Sequence, residues 1–274
     1  MSPFVSLATA SWFFVFVGRS SSDMQGGVME NDVLSQSEIR QFQIWGYVRV
    51  ADALPMNFVE QVRNAVESGN GLRSREALDA VAGVTIEARL QGAVDQILGA
   101  GLWRPLRTLG GLLYTEGSQS DAAWEMPASG WHFDNDPRGY QEEPDELMAF
   151  TYYNSVQAGG GATLALAGSH RYLGAGMPTD GWERAVNAVR TLSEWHPRLA
   201  ALMGDHTDPD RSAKAWIDIP FEVHGIPTRV VELTGEPGEA VLCHPALLHA
   251  ASPNTRTTPR IMRRTNFRRK KHPG

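Results

Sequence analysis

The spacing of apolar positions changes near residue 111. Before it, the period is that of helices. Ile39, Phe42 and Trp45 follow Ser35-Gln-Ser-Glu38, a serine with a glutamate three residues on, which reads as a capping box. Gly46 can end that helix, and Tyr47–Val50 alternates as a strand does. Leu54-Pro55 opens a second helical face made by Phe58, Val62, Ala65 and Val66, and Leu90, Val94, Ile97 and Leu98 predict a third. After Gly111, short apolar runs alternate with Gly, Pro, Asn and Asp. They are Leu112–Tyr114, Met148–Tyr153, Ala162–Ala167, Arg229–Leu233, Ala240–Cys243 and Ile261–Phe267. Many short strands with turn signals predict a sandwich or barrel.

Helical spacing returns once, at about 171–225. Trp182, Ala185, Val186, Val189 and Leu192 share a face, and Trp195, Leu199 and Leu202 follow. The expected organisation is one mostly β domain over 31–268 with flanking helices, a helical insert at 171–225 and a basic tail at 269–274. The insert is expected to cover a pocket mouth, with Trp182, Arg184, Arg190 and Trp195 as its candidate lining.

Residues 1–30 stand apart. Phe4–Gly18 is apolar and uncharged, but shorter than the roughly 20 residues of a membrane helix, and no positive segment precedes it. It reads as an atypical signal or anchor, as an extra packed element, or as upstream sequence outside the working protein. The third reading is preferred, so no membrane association is expected unless the segment is a true anchor.

Composition narrows the functions. The 274 residues carry 25 Lys and Arg against 31 Asp and Glu, a net charge of −6, which does not suit a nucleic-acid partner. The basic cluster Arg263, Arg264, Arg268, Arg269, Lys270 and Lys271 reads as a last strand running into a solvated end. The single cysteine, Cys243, lies in an apolar run and reads as a core residue. No disulfide can form within the chain, which fits a reducing, cytoplasmic setting.

The segment Gly130-Trp-His-Phe-Asp-Asn-Asp136 carries the candidate chemistry. On a strand, His132 and Asp134 point to one side. An imidazole and a carboxylate on one inward face are costly unless they share a cation. Asp136 precedes Pro137 and reads as a turn former. Two histidines compete to be the third ligand, His244 before a proline and His249 before Ser-Pro-Asn. The residues alone leave that choice open. Gly159-Gly-Gly161 lacks the lysine of a phosphate loop and reads as a turn. His170, His196, His206, His224 and His272 read as structural or surface histidines.

These pieces resemble the phytanoyl-CoA dioxygenase family of iron(II)- and 2-oxoglutarate-dependent oxygenases. The resemblance rests on Phe42–Val50, His132-x-Asp134, the run Gly159–Arg171 and the block Gly238–Arg260. It implies a double-stranded β-helix core, of jelly-roll or cupin type. It implies iron(II) held by His132, Asp134 and His249, the second histidine of the His-Pro-x-x-x-His run. It also implies 2-oxoglutarate and O2 as co-substrates, with Arg260, eleven residues after His249, binding the far carboxylate. The accompanying hydroxyl falls on Ala251 in this chain, so Thr151 and Ser252 become the candidates for it. The expected reaction is hydroxylation of a small-molecule or acyl substrate, with release of succinate and CO2. Asp134 favours hydroxylation over halogenation, since related halogenases have a small residue there. A non-catalytic cupin-like binding protein and a metal-dependent hydrolase or isomerase are the alternatives. Neither has a use for Arg260 at that spacing.

Overall fold

The structure, a computed structural model, describes residues 32–68, 86–107, 110–119, 123–134, 144–177, 185–204 and 210–270. The chain divides into two units, residues 1–30 and 31–274, and the first lies wholly outside the described residues. So do Asp136, Trp182, Arg184, His206, Lys271 and His272.

The described part is mostly antiparallel sheet with a few helices. Helix α1 is Gln36–Trp45. Ser35 caps it, with both bonds of the capping box formed, and Gly46 closes it at φ 78°, a left-handed turn that favours glycine. Strand β1 (Tyr47–Val50) follows, then α2 (Met56–Glu67) and α3 (Ala88–Leu98). The remaining strands are β2 (Gly111–Thr115), β3 (Glu146–Tyr152), β4 (Thr163–Ala167), β5 (Phe221–Val223), β6 (Ile226–Leu233), β7 (Ala240–Cys243), β8 (His249–Ala251) and β9 (Arg260–Arg268). Between β4 and β5 lie α4 (Ala185–Trp195), α5 (Pro197–Leu202) and α6 (Ala213–Trp216).

One sheet has the order β1-β7-β3-β9-β2 and the other β5-β6-β4-β8. Every pairing between neighbouring strands is antiparallel. Strand alternation then builds the layers. Met148, Phe150 and Tyr152 of β3 meet Ala165, Val231, Val241 and Met262 between the two sheets. The other phase of β3, Leu147 and Ala149, packs with Ile261 and Phe267 against α1, α2 and α3. Leu164, Leu166 and Val230 cover the far side of the smaller sheet, with Leu192, Leu199 and Trp216 of the inserted helices. Each sheet is thus apolar on both faces. Among the described residues no helix is long and apolar enough to cross a membrane.

The final strand departs from expectation. Arg263 and Arg264 are not at a solvated end. Arg263 is 3% exposed on the helix-covered face, and Arg264 reaches Asp134 on the other face.

Candidate metal centre

His132 and His249 exchange both of their main-chain hydrogen bonds. His132 N donates to His249 O at 2.9 Å, and His249 N donates back to His132 O at 3.1 Å. His132 thus lies on a single antiparallel bridge rather than on a continuous strand. The alternation that strand would impose still holds. Trp131 and Phe133 are buried against Tyr172, Leu192 and Trp216, so His132 and Asp134 fall on the opposite side. The inserted helices therefore pack behind the ligand segment.

The histidine tautomers follow from their bonds. His132 Nδ1 is 2.8 Å from Gly130 O, and His249 Nδ1 is 3.0 Å from Leu247 O. A carbonyl accepts only, so each Nδ1 carries the hydrogen and each neutral ring keeps its lone pair on Nε2. Both Nε2 atoms face Asp134, His132 at 3.6 Å from Oδ1 and His249 at 3.5 Å from Oδ2. The three donor atoms lie within 4.8 Å of one another. His249 is buried, while the side chain of His132 is 47% exposed, so the cluster is open on one side.

Electrostatics separate the two histidines. Burial pulls His249 down to about 4, with Asp134 opposing. His132 is raised, first by its bond to Asp134. Burial alone would raise Asp134, but His132, His249 and Arg264 together hold it below the usual carboxylate range. Its Oδ2 is buried and accepts no hydrogen bond. Arg264 Nη2 stands 2.8 Å from that oxygen as an ion pair rather than as an aligned hydrogen bond. Two imidazole lone pairs and a carboxylate oxygen that accepts no hydrogen bond among the described residues converge, which suits a divalent cation.

The rival histidine is elsewhere. His244 is buried with its ring centroid 4.9 Å from that of His170 and 6.2 Å from Phe42, beside the end of α1.

Arg260 opens β9 on the face that also carries Met262, between the sheets. It is 7% exposed, its Nη1 donates to Gly161 O, and its Nε has no partner. Burial lowers its pKa. Ser252 Oγ donates to the next carbonyl, Ala162 O, at 2.7 Å. Arg260 and Ser252 thus fasten consecutive carbonyls. Thr151 does not join them, contrary to expectation. It lies on the opposite phase of β3 from Phe150, beside Leu54, Phe58 and Arg263 under the helical layer, with the Tyr153 side chain next to its Oγ1.

Two residues escaped the sequence reading. Arg264 Nη1 donates to Asp134 Oδ1 at 2.9 Å. The period of β9 carried that signal, since Arg264 shares the phase of Arg260 and Met262. Asn154, just past β3, bonds the main chain on either side of Arg260, and no local pattern announces it.

No sequence-family model matches the chain, and no curated protein matches it in sequence. Solved structures do match in fold. The chain is similar to SnoK, a non-heme alpha ketoglutarate dependent carbocyclase from nogalamycin biosynthesis. The identity is 15%, the match covers 89% of this chain and 88% of that one, and the TM-score is 0.51. It is similar to HygX from Streptomyces hygroscopicus, solved with iron bound, at 17% identity over 87% and 88%, with a TM-score of 0.53. It is also similar to EctD from S. alaskensis, solved with 2-oxoglutarate and 5-hydroxyectoine, at 19% identity over 89% and 79%, with a TM-score of 0.51. At such identities the likeness establishes a shared fold.

Proposed function

We propose that the chain is an iron(II)- and 2-oxoglutarate-dependent oxygenase that hydroxylates a C–H bond of a small molecule. The observation that carries this reading is the convergence of His132 Nε2, His249 Nε2 and the Asp134 carboxylate, with the buried Arg260 on the same interior. The two facing antiparallel sheets support a double-stranded β-helix of the phytanoyl-CoA dioxygenase type as their scaffold.

In this reading His132, Asp134 and His249 would hold the iron, and three protein ligands would leave room for the co-substrate. Bound iron and 2-oxoglutarate together supply the oxidation, in which O2 is consumed, succinate and CO2 are released and the substrate gains a hydroxyl. The chain's own part is binding and orientation. The carbonyls of Gly130 and Leu247 fix the ring tautomers. Asp134 takes its place between the two rings. Arg260 offers the far carboxylate of 2-oxoglutarate a planar guanidinium, with Nε free to donate. Ser252 steadies the segment that Arg260 bonds. A hydrolase or a simple binding protein would give Arg260 no such use.

The test is anaerobic addition of iron(II) and 2-oxoglutarate to metal-free protein. The expected result is a visible charge-transfer band in the parent, lost in His249→Ala and weakened in Arg260→Ala. A parent without the band, behaving as Arg260→Ala does, overturns the reading.

A further inference from the structure

We infer that Arg264 anchors an anionic group of the substrate, a carboxylate or a phosphate, beside the metal centre. The inference rests on the oxygenase reading above and names the class of molecule it would accept.

Position comes first. Arg264 lies on the inward phase of β9, paired across the ladder with Phe150, whose ring centroid is 6.5 Å from that of His249. Its Nη1 is 2.9 Å from Asp134 Oδ1. Its side chain is 31% exposed, so the guanidinium is reached from outside while touching a metal-site carboxylate.

Charge comes next. A divalent metal, the Asp134 carboxylate, doubly charged 2-oxoglutarate and the Arg260 guanidinium cancel to zero, with both imidazoles neutral. Arg264 then adds one positive charge to a site that is open on one side. Partly shielded from water, that surplus charge favours a substrate anion over a neutral molecule.

Donor capacity agrees with this. A guanidinium has five N–H groups in a fixed fork. Here Nη1 serves Asp134, Nη2 forms the close ion pair, and Nε makes a long 3.3 Å bond to Asn266 Oδ1. N–H groups on the terminal nitrogens remain to meet a second anion.

The neighbouring wall also selects. Asn266 Nδ2 donates to Glu146 Oε1 at 2.8 Å, and Arg268 Nε donates to Glu146 Oε2 at 3.0 Å. These ties hold Arg264, Asn266 and Arg268 as a polar track along β9. A neutral apolar chain laid on the track would strip its groups of water without replacing the bonds. A compact polar anion would replace them.

Arg264 could instead act only by orienting Asp134, and the experiment separates the two roles. The protein is loaded with iron(II) and 2-oxoglutarate without oxygen. It is then titrated with a panel of small carboxylic acids paired with their methyl esters, and phosphate monoesters paired with their alcohols. Perturbation of the charge-transfer band and the thermal midpoint are read together. The expected result is that anions perturb the band and their neutral partners bind about 30-fold more weakly or worse, as for a lost buried charge pair. Which arm responds tells carboxylate from phosphate. Compared at saturating iron(II) and 2-oxoglutarate, Arg264→Gln should lose the preference, and Arg264→Lys should keep part of it. The inference is overturned if neutral partners bind as well as anions, if no anion perturbs the band, or if Arg264→Gln binds the anions as the parent does. It is also overturned if Arg264→Gln, folded by circular dichroism, loses metal, since the residue would then only position Asp134. A parent that shows no band before any compound is added refutes the oxygenase reading instead.

Discussion

Asn154 holds the main chain on both sides of Arg260. Its Nδ2 donates to Pro259 O at 2.6 Å, and its Oδ1 accepts from Ile261 N at 2.9 Å. The carboxamide stands in for a neighbouring strand where β3 has ended, and so fixes the start of β9. Asn154→Ala leaves a carbonyl and an N–H unpaired in a buried place, at a cost on the order of 2–4 kcal/mol. Arg260 then loses its backbone register. The expected outcome is 2-oxoglutarate binding weakened about tenfold, equivalent to about 1.4 kcal/mol, with metal binding little changed. Titration of each ligand separately, and urea denaturation for stability, check both parts. Asn154→Asp, which keeps the acceptor and loses the donor, should fall between.

Thr151 and Ser252 should respond in opposite ways. Thr151 Oγ1 is buried on the far face of β3 with only a poorly aligned contact to Tyr153, so Thr151→Val exchanges a poorly satisfied hydroxyl for a methyl. Its thermal midpoint should hold or rise, by up to about 1 kcal/mol in stability, with 2-oxoglutarate affinity unchanged. Ser252→Ala removes the bond to Ala162 O, costs about 1 kcal/mol and loosens the segment that Arg260 bonds. Its 2-oxoglutarate affinity should fall a few-fold. Equal effects of the two variants on that affinity would return Thr151 to the pocket.

The difference between these residues marks how far the sequence could be read. The capping box at Ser35, the stop at Gly46 and the pairing of His132 with Asp134 depend on local chemistry, and all are legible. The phase of β3 is not. Met148, Phe150 and Tyr152 face the other sheet, while Leu147, Ala149 and Tyr153 face the helices, and both sets are apolar. A strand covered on both faces has no alternation to read, so the side to which Thr151 points is not legible in the sequence. Strand β8 is three residues long inside an apolar run, too short for any period to mark it. The contact of Arg264 with Asp134 spans 130 residues of sequence, a pairing that only the sheet order creates.

Acid should weaken the fold through His170. Its Nε2 is 3.1 Å from Gln43 O, and its ring lies against His244 with centroids 4.9 Å apart. Burial lowers its pKa to about 4, partly opposed by the Gln43 carbonyl. The unfolded chain then takes up a proton near pH 6.5 that the folded one refuses until about pH 4. Stability is whole above that window and is lost as pH falls through it. One pKa unit corresponds to about 1.4 kcal/mol, so the loss is on the order of 1–3 kcal/mol. Urea midpoints at pH 7 and pH 4.5 should differ less in His170→Gln than in the parent. Parallel pH dependence in the two proteins would show that His170 is not the group responsible.

Arg263 presents the converse of Arg264, a guanidinium that forms no close ion pair among the described residues. It is 3% exposed, its Nε and Nη2 have no partner, and its charge lies 5.4 Å from the ring of Tyr153. Leu54, Phe58, Leu90 and Phe267 line the same small cavity, with Glu87 at its edge among the polar lining. A buried guanidinium with two unpartnered nitrogens opposes folding, and an unbranched apolar side chain of similar length fits the space without that cost. Arg263→Met should therefore leave the urea midpoint unchanged or raise stability by about 1–2 kcal/mol, with the slope of the transition preserved. Arg263→Ala, which also empties the space, should be less stable than Arg263→Met. Metal and 2-oxoglutarate binding should not move in either, because the residue faces away from the site. A marked fall in stability for Arg263→Met, absent in Arg263→Lys, would mean that the charge meets a counter-anion in solution.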